Sequence, residues 1–241
     1  MIDIHCHILP DVDDGSRSWE MSLEMCAMAR DDGIEHIVAT PHSNEVYFYD
    51  RAALQKVVDQ LAEKTGYRLA FSLGCDFHFS YENIQDALAK PSQFAIGDTP
   101  YLLVEFSDYS LPPSIEENLT RLINVGLKPI ITHPERNPLI QRRPERVLDW
   151  VRGGCLVQVT GNVLTGRWGR TAQSVAHWLF EREAVHVLAS DGHNLESRKP
   201  CLSKARTAAA AIAGETIADS LVTLNPRAIV NGEPVPYAPK I

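Results

Sequence analysis

Seven short apolar runs, each followed by a helical pattern, constrain this chain more than any other feature of it. The runs are MIDIHC (1–6), IEHIVAT (34–40), RLAFSLG (68–74), YLLVEF (101–106), KPIIT (128–132), CLVQVT (155–160) and AVHVLAS (184–190). Most are rich in β-branched residues, as strands covered on both faces should be. Helical spacing occupies about 18–31, 51–64, 114–125, 144–152, 170–182 and 202–221. Gly33 and Gly126 stand as stops, Ser114 as a cap and Pro144 in a first turn. Strand starts recur about every thirty residues, the length of one βα unit. The pattern predicts parallel strands in an α/β barrel or a doubly wound sheet, built as a single domain over 1–241. The Pro-rich tail after Asn225-Pro226 is expected to be irregular.

In both architectures chemistry gathers at the carboxyl ends of the strands. The first run delivers His5 and His7, which share a face at i, i+2 while Cys6 points the other way. The second ends in His42, the third in Asp76 and His78, and the fourth in Glu105. The fifth ends in His133, Glu135 and Arg136, and the seventh in Asp191 and His193. Only the sixth, ending in Thr160 and Asn162, lacks a candidate ligand. Asp14, in the DVDDG loop after the first strand, adds a carboxylate. Imidazole nitrogen and carboxylate oxygen suit Zn²⁺, Mn²⁺ and Fe²⁺. His5, His7, Asp14, His42, Asp76, Glu105, His133, Asp191 and His193 are too many for one ion and suit two or three. His36, His177 and His186 lie within strand or helix patterns and read as packing or surface residues.

A thiol nucleophile is the competing reading of His5-Cys6-His7. Cysteine-dependent phosphatases place an arginine six residues after the thiolate. The residues six beyond the five cysteines are Val12, Asp32, Tyr81, Gly161 and Thr207, none of them arginine. No G-x-S-x-G elbow occurs either. Cys6 therefore reads as a small buried residue behind a metal site.

Bulk properties narrow the partners. A net charge of −8 disfavours nucleic acid. Five cysteines without paired spacing read as free thiols in a reducing compartment. No apolar run approaches the roughly 20 residues of a membrane span, and acids interrupt any leader-like segment by Asp14. A cytoplasmic protein without membrane insertion is expected.

The ordered set HCH, TPH, VEF, HPER and SDGHN resembles the polymerase and histidinol phosphatase (PHP) superfamily. More narrowly, MIDIHCHILPDVDDG, LLVEFS, HPERN and ASDGHN resemble the bacterial tyrosine-protein phosphatases of capsule and exopolysaccharide operons. The resemblance runs from Met1 to about Asn225-Pro226. It implies a distorted (β/α)7 barrel with two to three divalent ions at its mouth, manganese first, with iron or zinc as alternatives. It implies one metal on His5, His7 and Asp191, a second on Glu105 and His133, and a third on Asp14, His42 and His193. The family's bridging glutamate matches Asp76, one methylene shorter. Arg136 would bind the substrate phosphate, with Glu105 and Asp191 in the catalytic set. The implied partner is a bacterial tyrosine kinase that regulates polysaccharide synthesis, phosphorylated on its flexible C-terminal tail. A phosphatase for a small monoester such as histidinol phosphate is the nearest alternative, and a metal-binding regulator without turnover is an alternative of another class.

Overall fold

A computed structural model describes residues 1–238. The seven strands are present and all pair in parallel. They are Ile2–Cys6, His36–Ala39, Ala70–Leu73, Tyr101–Glu105, Lys128–Thr132, Leu156–Thr160 and Val187–Ala189. The second resumes as His42–Ser43 and the third as Asp76–His78, and these resumed pieces pair with each other. Pro41 has no N–H, and Gly74-Cys75 interrupts the third strand at the same level. Hydrogen bonds still cross the break, from Gly74 N to Ala39 O (2.8 Å) and from Asp76 N to Pro41 O (3.1 Å).

The seam between the last strand and the first is closed by Asp191 N donating to His5 O (2.9 Å) and His7 N to Gly192 O (2.8 Å). The strands thus complete the circuit of a distorted seven-stranded barrel, as expected. Gly192 is required at this seam, because a Cβ there would lie 2.9 Å from Pro200 Cα.

Two apolar cores follow from strand alternation. Leu102, Val104, Ile131, Val157, Val159 and Leu188 point outward and pack with the helices. Ile2, Ile4, Tyr101, Leu103, Ile130 and Val187 fill the barrel interior. Strict alternation would send His5 and His7 away from the Ile2 and Ile4 side. The register slips between Asp3 and Cys6, and this bulge returns both histidines to the interior. Cys6 accordingly joins the outer core, fully buried.

The helices follow the pattern, apart from a short added turn of helix at Pro138–Gln141 and four larger differences. A helix at Tyr81–Ala89, absent from the sequence reading, is capped by Ser80 Oγ accepting from Asn83 N. Ser114 makes no capping bond, since its own ψ of 22° turns its side chain away from the first-turn amides and toward Asn118. Gly214, at φ 88°, divides the last long segment into Ser203–Ala213 and Glu215–Asp219, followed by a wide turn at Ser220–Leu224. The tail expected to be irregular from Asn225-Pro226 first forms a helix, Asn225–Asn231. Pro226 suits its opening turn, and Asn225 Nδ2 donates to His186 O and Tyr237 O. Ile229 from this helix plugs the end of the barrel opposite the strands' carboxyl ends. Among the described residues no helix is long and apolar enough to cross a membrane.

Candidate metal centre

The nine expected ligands converge at the carboxyl-end mouth. Three overlapping groups have donor atoms within 4.8 Å of one another: His5, His7 and Asp76; His7, Asp14, His42 and His193; and His42, Asp76 and Glu105. Asp191 Oδ1 lies 3.5 Å from Nε2 of both His5 and His7, which attaches it to the first group. His133 Nε2 is 3.7 Å from Glu105 Oε1, at the edge of the third.

The orientation of the imidazoles is set from behind. His5 Nδ1 donates to Gln158 Oε1 (3.0 Å), and His7 Nδ1 donates to Asp13 Oδ2 (2.7 Å). His193 Nδ1 lies 3.0 Å from the Asp191 carbonyl oxygen, closer than to the Asp191 carboxylate at 3.5 Å. These bonds assign the proton to Nδ1 in all three rings and turn the Nε2 lone pairs inward. Nε2 of His5 and Nε2 of His7 then face each other at 3.2 Å. Two lone pairs at that distance repel unless a proton or a cation lies between them.

The buried acceptors point the same way. His42 Nδ1, both Asp76 carboxylate oxygens, Asp191 Oδ1 and His193 Nε2 are buried and have no hydrogen-bond partner among the described residues. A carboxylate with two orphaned oxygens, Asp76 being only 1% exposed, is costly without a counter-charge. The donor set of nitrogen and carboxylate oxygen therefore fits divalent ions.

Titration behaviour reflects the crowding. Burial pulls His5 down, but Asp76 and Asp191 more than reverse this and raise it to about 9. Burial, reinforced by His193, holds His7 down to about 3. One proton on His5 thus stands where a cation's charge would stand. Burial pushes Glu105 up, with the neighbouring Asp76 carboxylate adding to it. Against the pull of burial, His5 above all keeps Asp76 low.

Backbone strain marks the same positions. His133 and Asp191 adopt φ of 34° and 51°. Left-handed geometry in a non-glycine residue costs roughly 1–3 kcal/mol and concentrates at functional sites. Gly15 lets the DVDDG loop fold back, since a Cβ there would lie 2.2 Å from His7 O.

Arg136 lies alongside, its guanidinium stacked 3.8 Å over the Trp168 ring and its Nη1 bonded to Asp191 Oδ2. Arg198 Nη2 donates to the same oxygen at 2.6 Å. Against the pull of burial, Arg136 and Arg198 hold the Asp191 carboxyl well below its usual range.

Sequence reasoning missed Asp13, Gln158, Trp168 and Arg198. Asp13 was signalled by its place in DVDDG beside Asp14, and Gln158 by being a polar residue in a buried parallel strand. Trp168 and Arg198 carried no signal. Glu135, grouped at first with the strand-end candidates, faces elsewhere. It is buried, its Oε1 accepts from Thr160 N at 2.9 Å, and burial pushes it up to about 7. His78 stays half-buried, 3.8 Å from Glu105 Oε2.

Known proteins give this geometry a context. The tyrosine-protein phosphatase YwqE of Bacillus subtilis is 37% identical over 202 residues, covering 82% of this chain and 79% of that protein. The tyrosine-protein phosphatase CpsB of Streptococcus pneumoniae is 30% identical over 241 residues, covering 95% and 98%. A crystal structure from the study of YwqE and CpsB, described as unique metal-dependent tyrosine phosphatases, superposes with a TM-score of 0.91 at 33% identity over the whole of both chains. A β-aspartyl dipeptidase from Fervidobacterium islandicum shares the fold alone, at 13% identity and a TM-score of 0.53 over 95% of this chain and 72% of that one. The family described as capsular polysaccharide synthesis, CpsB/CapC, matches residues 1–231, and the chain belongs to it.

Proposed function

We propose that this chain is a metal-dependent protein-tyrosine phosphatase of one domain, acting in the cytoplasm on a tyrosine kinase that regulates polysaccharide synthesis. The observation that carries the reading is the ring of inward lone pairs and orphaned carboxylates, with the Arg136 fork beside it. Its membership of the CpsB/CapC family supports the same assignment. The phosphorylated segment is taken to be the kinase's flexible C-terminal tail.

His5, His7, Asp76 and Asp191 would hold one ion. Asp14, His42 and His193 would hold another, and Asp76, Glu105 and His133 a third. Asp76, like His7 and His42, belongs to two of the three groups, and with two carboxylate oxygens it is the one that would serve both. Imidazole nitrogen with carboxylate oxygen and no thiolate suits Mn²⁺, Fe²⁺ or Zn²⁺ alike, and manganese is taken first from the family resemblance. When bound, such ions supply Lewis-acid polarisation of the phosphoryl group and ionise water at neutral pH.

The chain's own residues do the rest. Trp168 fixes the plane of the Arg136 guanidinium, so its planar fork can meet two equatorial phosphate oxygens. Asp191 holds both arginines in place until substrate arrives. Asp13 and Gln158 hold Nδ1 of His7 and His5 in hydrogen bonds, which leaves Nε2 of each ring facing the centre. A water oxygen bonds to phosphorus in line as the bond to the tyrosyl oxygen breaks, the water's proton passes to solvent, and the electron pair leaves on a tyrosinate. That leaving group is stable enough to depart without a strong general acid.

Purified protein should hydrolyse phosphotyrosine peptides with higher kcat/KM than phosphoserine peptides or histidinol phosphate. A preference for histidinol phosphate would remove the tyrosine assignment. Absence of turnover on every phosphate ester, with metal bound, would leave a metal-binding regulator.

A further inference from the structure

The mouth of the barrel is electrically uneven. From Asp14, His42 and Glu105 a groove of about 600 Å³ runs outward between the loops after the second and fourth strands. Glu45 and Asp108 both line it, and neither belongs to any of the three ligand groups. No lysine or arginine lines it. Val46 is 79% exposed and Tyr109 95%, so large apolar side chains project from its rim. The Tyr47 ring stacks on His42 at 5.9 Å, with 15° between the planes. Tyr49 lies apart from this rim, buried, with its hydroxyl donating to Gly74 O.

On the other side of Asp191 the balance reverses. Arg136 and Arg198 both pair with Asp191 there, and a separate hollow of about 400 Å³ is lined by Arg167, Lys199 and Lys204 with Asp32 and Glu196. The Asp32 carboxylate is committed there to Leu202 N, Ser203 N and Ser203 Oγ. The groove side of the mouth thus carries carboxylates, and the Asp191 side carries the Arg136 and Arg198 guanidiniums.

We infer that Glu45 and Asp108 are specificity residues. The groove takes the residues flanking the phosphotyrosine on one side, and these two carboxylates select a lysine or arginine there. The inference rests on the phosphatase reading above. Asp14 and Glu105 spend their charge on the candidate metal centre, whereas Glu45 and Asp108 present theirs to the groove. An acidic neighbour in the groove would add a carboxylate beside Glu45 and Asp108, where no lysine or arginine lines the wall. A basic neighbour would be paired there and would be turned away from the opposite flank. Val46, Tyr47 and Tyr109 give its aliphatic stem apolar surface to cover.

The test uses metal-loaded full-length protein and matched phosphotyrosine peptides. Lysine, glutamine or glutamate is placed at each of the three positions on either side of the phosphotyrosine. Lysine on one side should raise kcat/KM about three- to tenfold over glutamine, the range of one or two partly exposed ion pairs. Glutamate at the same position should lower it. The preference should shrink as salt rises, because exposed pairs are screened. Glu45→Gln with Asp108→Asn should abolish the preference, and Glu45→Lys should reverse it. Both residues are exposed, so folding should survive, with the melting temperature as the check. Equal hydrolysis of all peptides by the wild type would overturn the inference, as would a preference that persists in the double variant. Failure to hydrolyse any phosphotyrosine peptide would instead overturn the phosphatase reading.

Discussion

Arg136→Ala isolates the contribution of the phosphate fork from that of the metal centre. Arg136 gives Asp191 one of its two guanidinium partners, and Arg198 gives the other at 2.6 Å. Asp191 therefore keeps a cation in the variant, and its oxygen facing His5 and His7 stays ionised. Metal content should hold at the wild-type value. What is lost is one preorganised, charged donor to the transferring phosphoryl group. Removal of such a donor costs roughly 2.7–4 kcal/mol, or about 100- to 1,000-fold in rate. The loss should appear in kcat and kcat/KM together, since the fork meets charge that builds in the transition state. Arg136→Lys keeps the charge but loses the fork and most of the stacking over Trp168, so it should recover only part of the loss. The assay pairs steady-state hydrolysis of a phosphotyrosine peptide with elemental analysis of the same protein. Activity within threefold of wild type would refute the role. So would a fall in metal content proportional to the fall in activity, which would make Arg136 a support for the centre and not a substrate ligand.

Chelation should abolish activity and Mn²⁺ should restore it, while Cys6→Ser keeps most of it. The Cys6 thiol is fully buried, burial pushes it well above its ordinary value, and Sγ sits 3.5 Å from Gly192 O; a dead Cys6→Ser variant with normal metal content would return the thiol to contention. Asp76→Ala should lower the bound metal by at least one equivalent per chain, measured by plasma mass spectrometry, and unchanged stoichiometry would strike Asp76 from the ligand set. His186 is buried and neutral, its Nδ1 accepting from Val157 N, and burial pulls it down to about 4 from an ordinary 6.5. A depressed histidine stabilises the fold fully above pH 6.5, and that contribution is lost as pH falls toward 4. Denaturant titrations should show His186→Gln losing about 3 kcal/mol less than wild type over that window; parallel pH curves would rule this out.

The barrel and its ligand ring were legible because both depend on regular patterns. Buried parallel strands require continuous apolar runs, and a mouth built from strand ends requires its ligands just after them. His5 and His7 could be placed on one face from their spacing alone. Their turning toward the interior needed the register slip after Asp3, which no sequence pattern announces. Asp13 was overlooked because a DVDDG loop offers three carboxylates and spacing does not rank them. Arg198 lies five residues past His193 in a loop without periodicity, so only the folded chain brings it to Asp191. The helix at Asn225–Asn231 was hidden by its own proline, which reads as a breaker in sequence and acts as an opening residue in the fold.

The seam of the barrel has a consequence for the life of the protein before it does any chemistry. The bonds that join the first strand to the last, Asp191 N to His5 O and His7 N to Gly192 O, belong to the candidate ligands and their immediate neighbour. Whatever neutralises the inward lone pairs also holds the first and last strands of the barrel together. Cation supply then becomes a factor in folding: an ion at one hundred times its dissociation constant adds about 2.7 kcal/mol to the closed form. A chain made under metal starvation should breathe along this edge, with amide exchange fastest at the seam, and should be the first copy a protease finds.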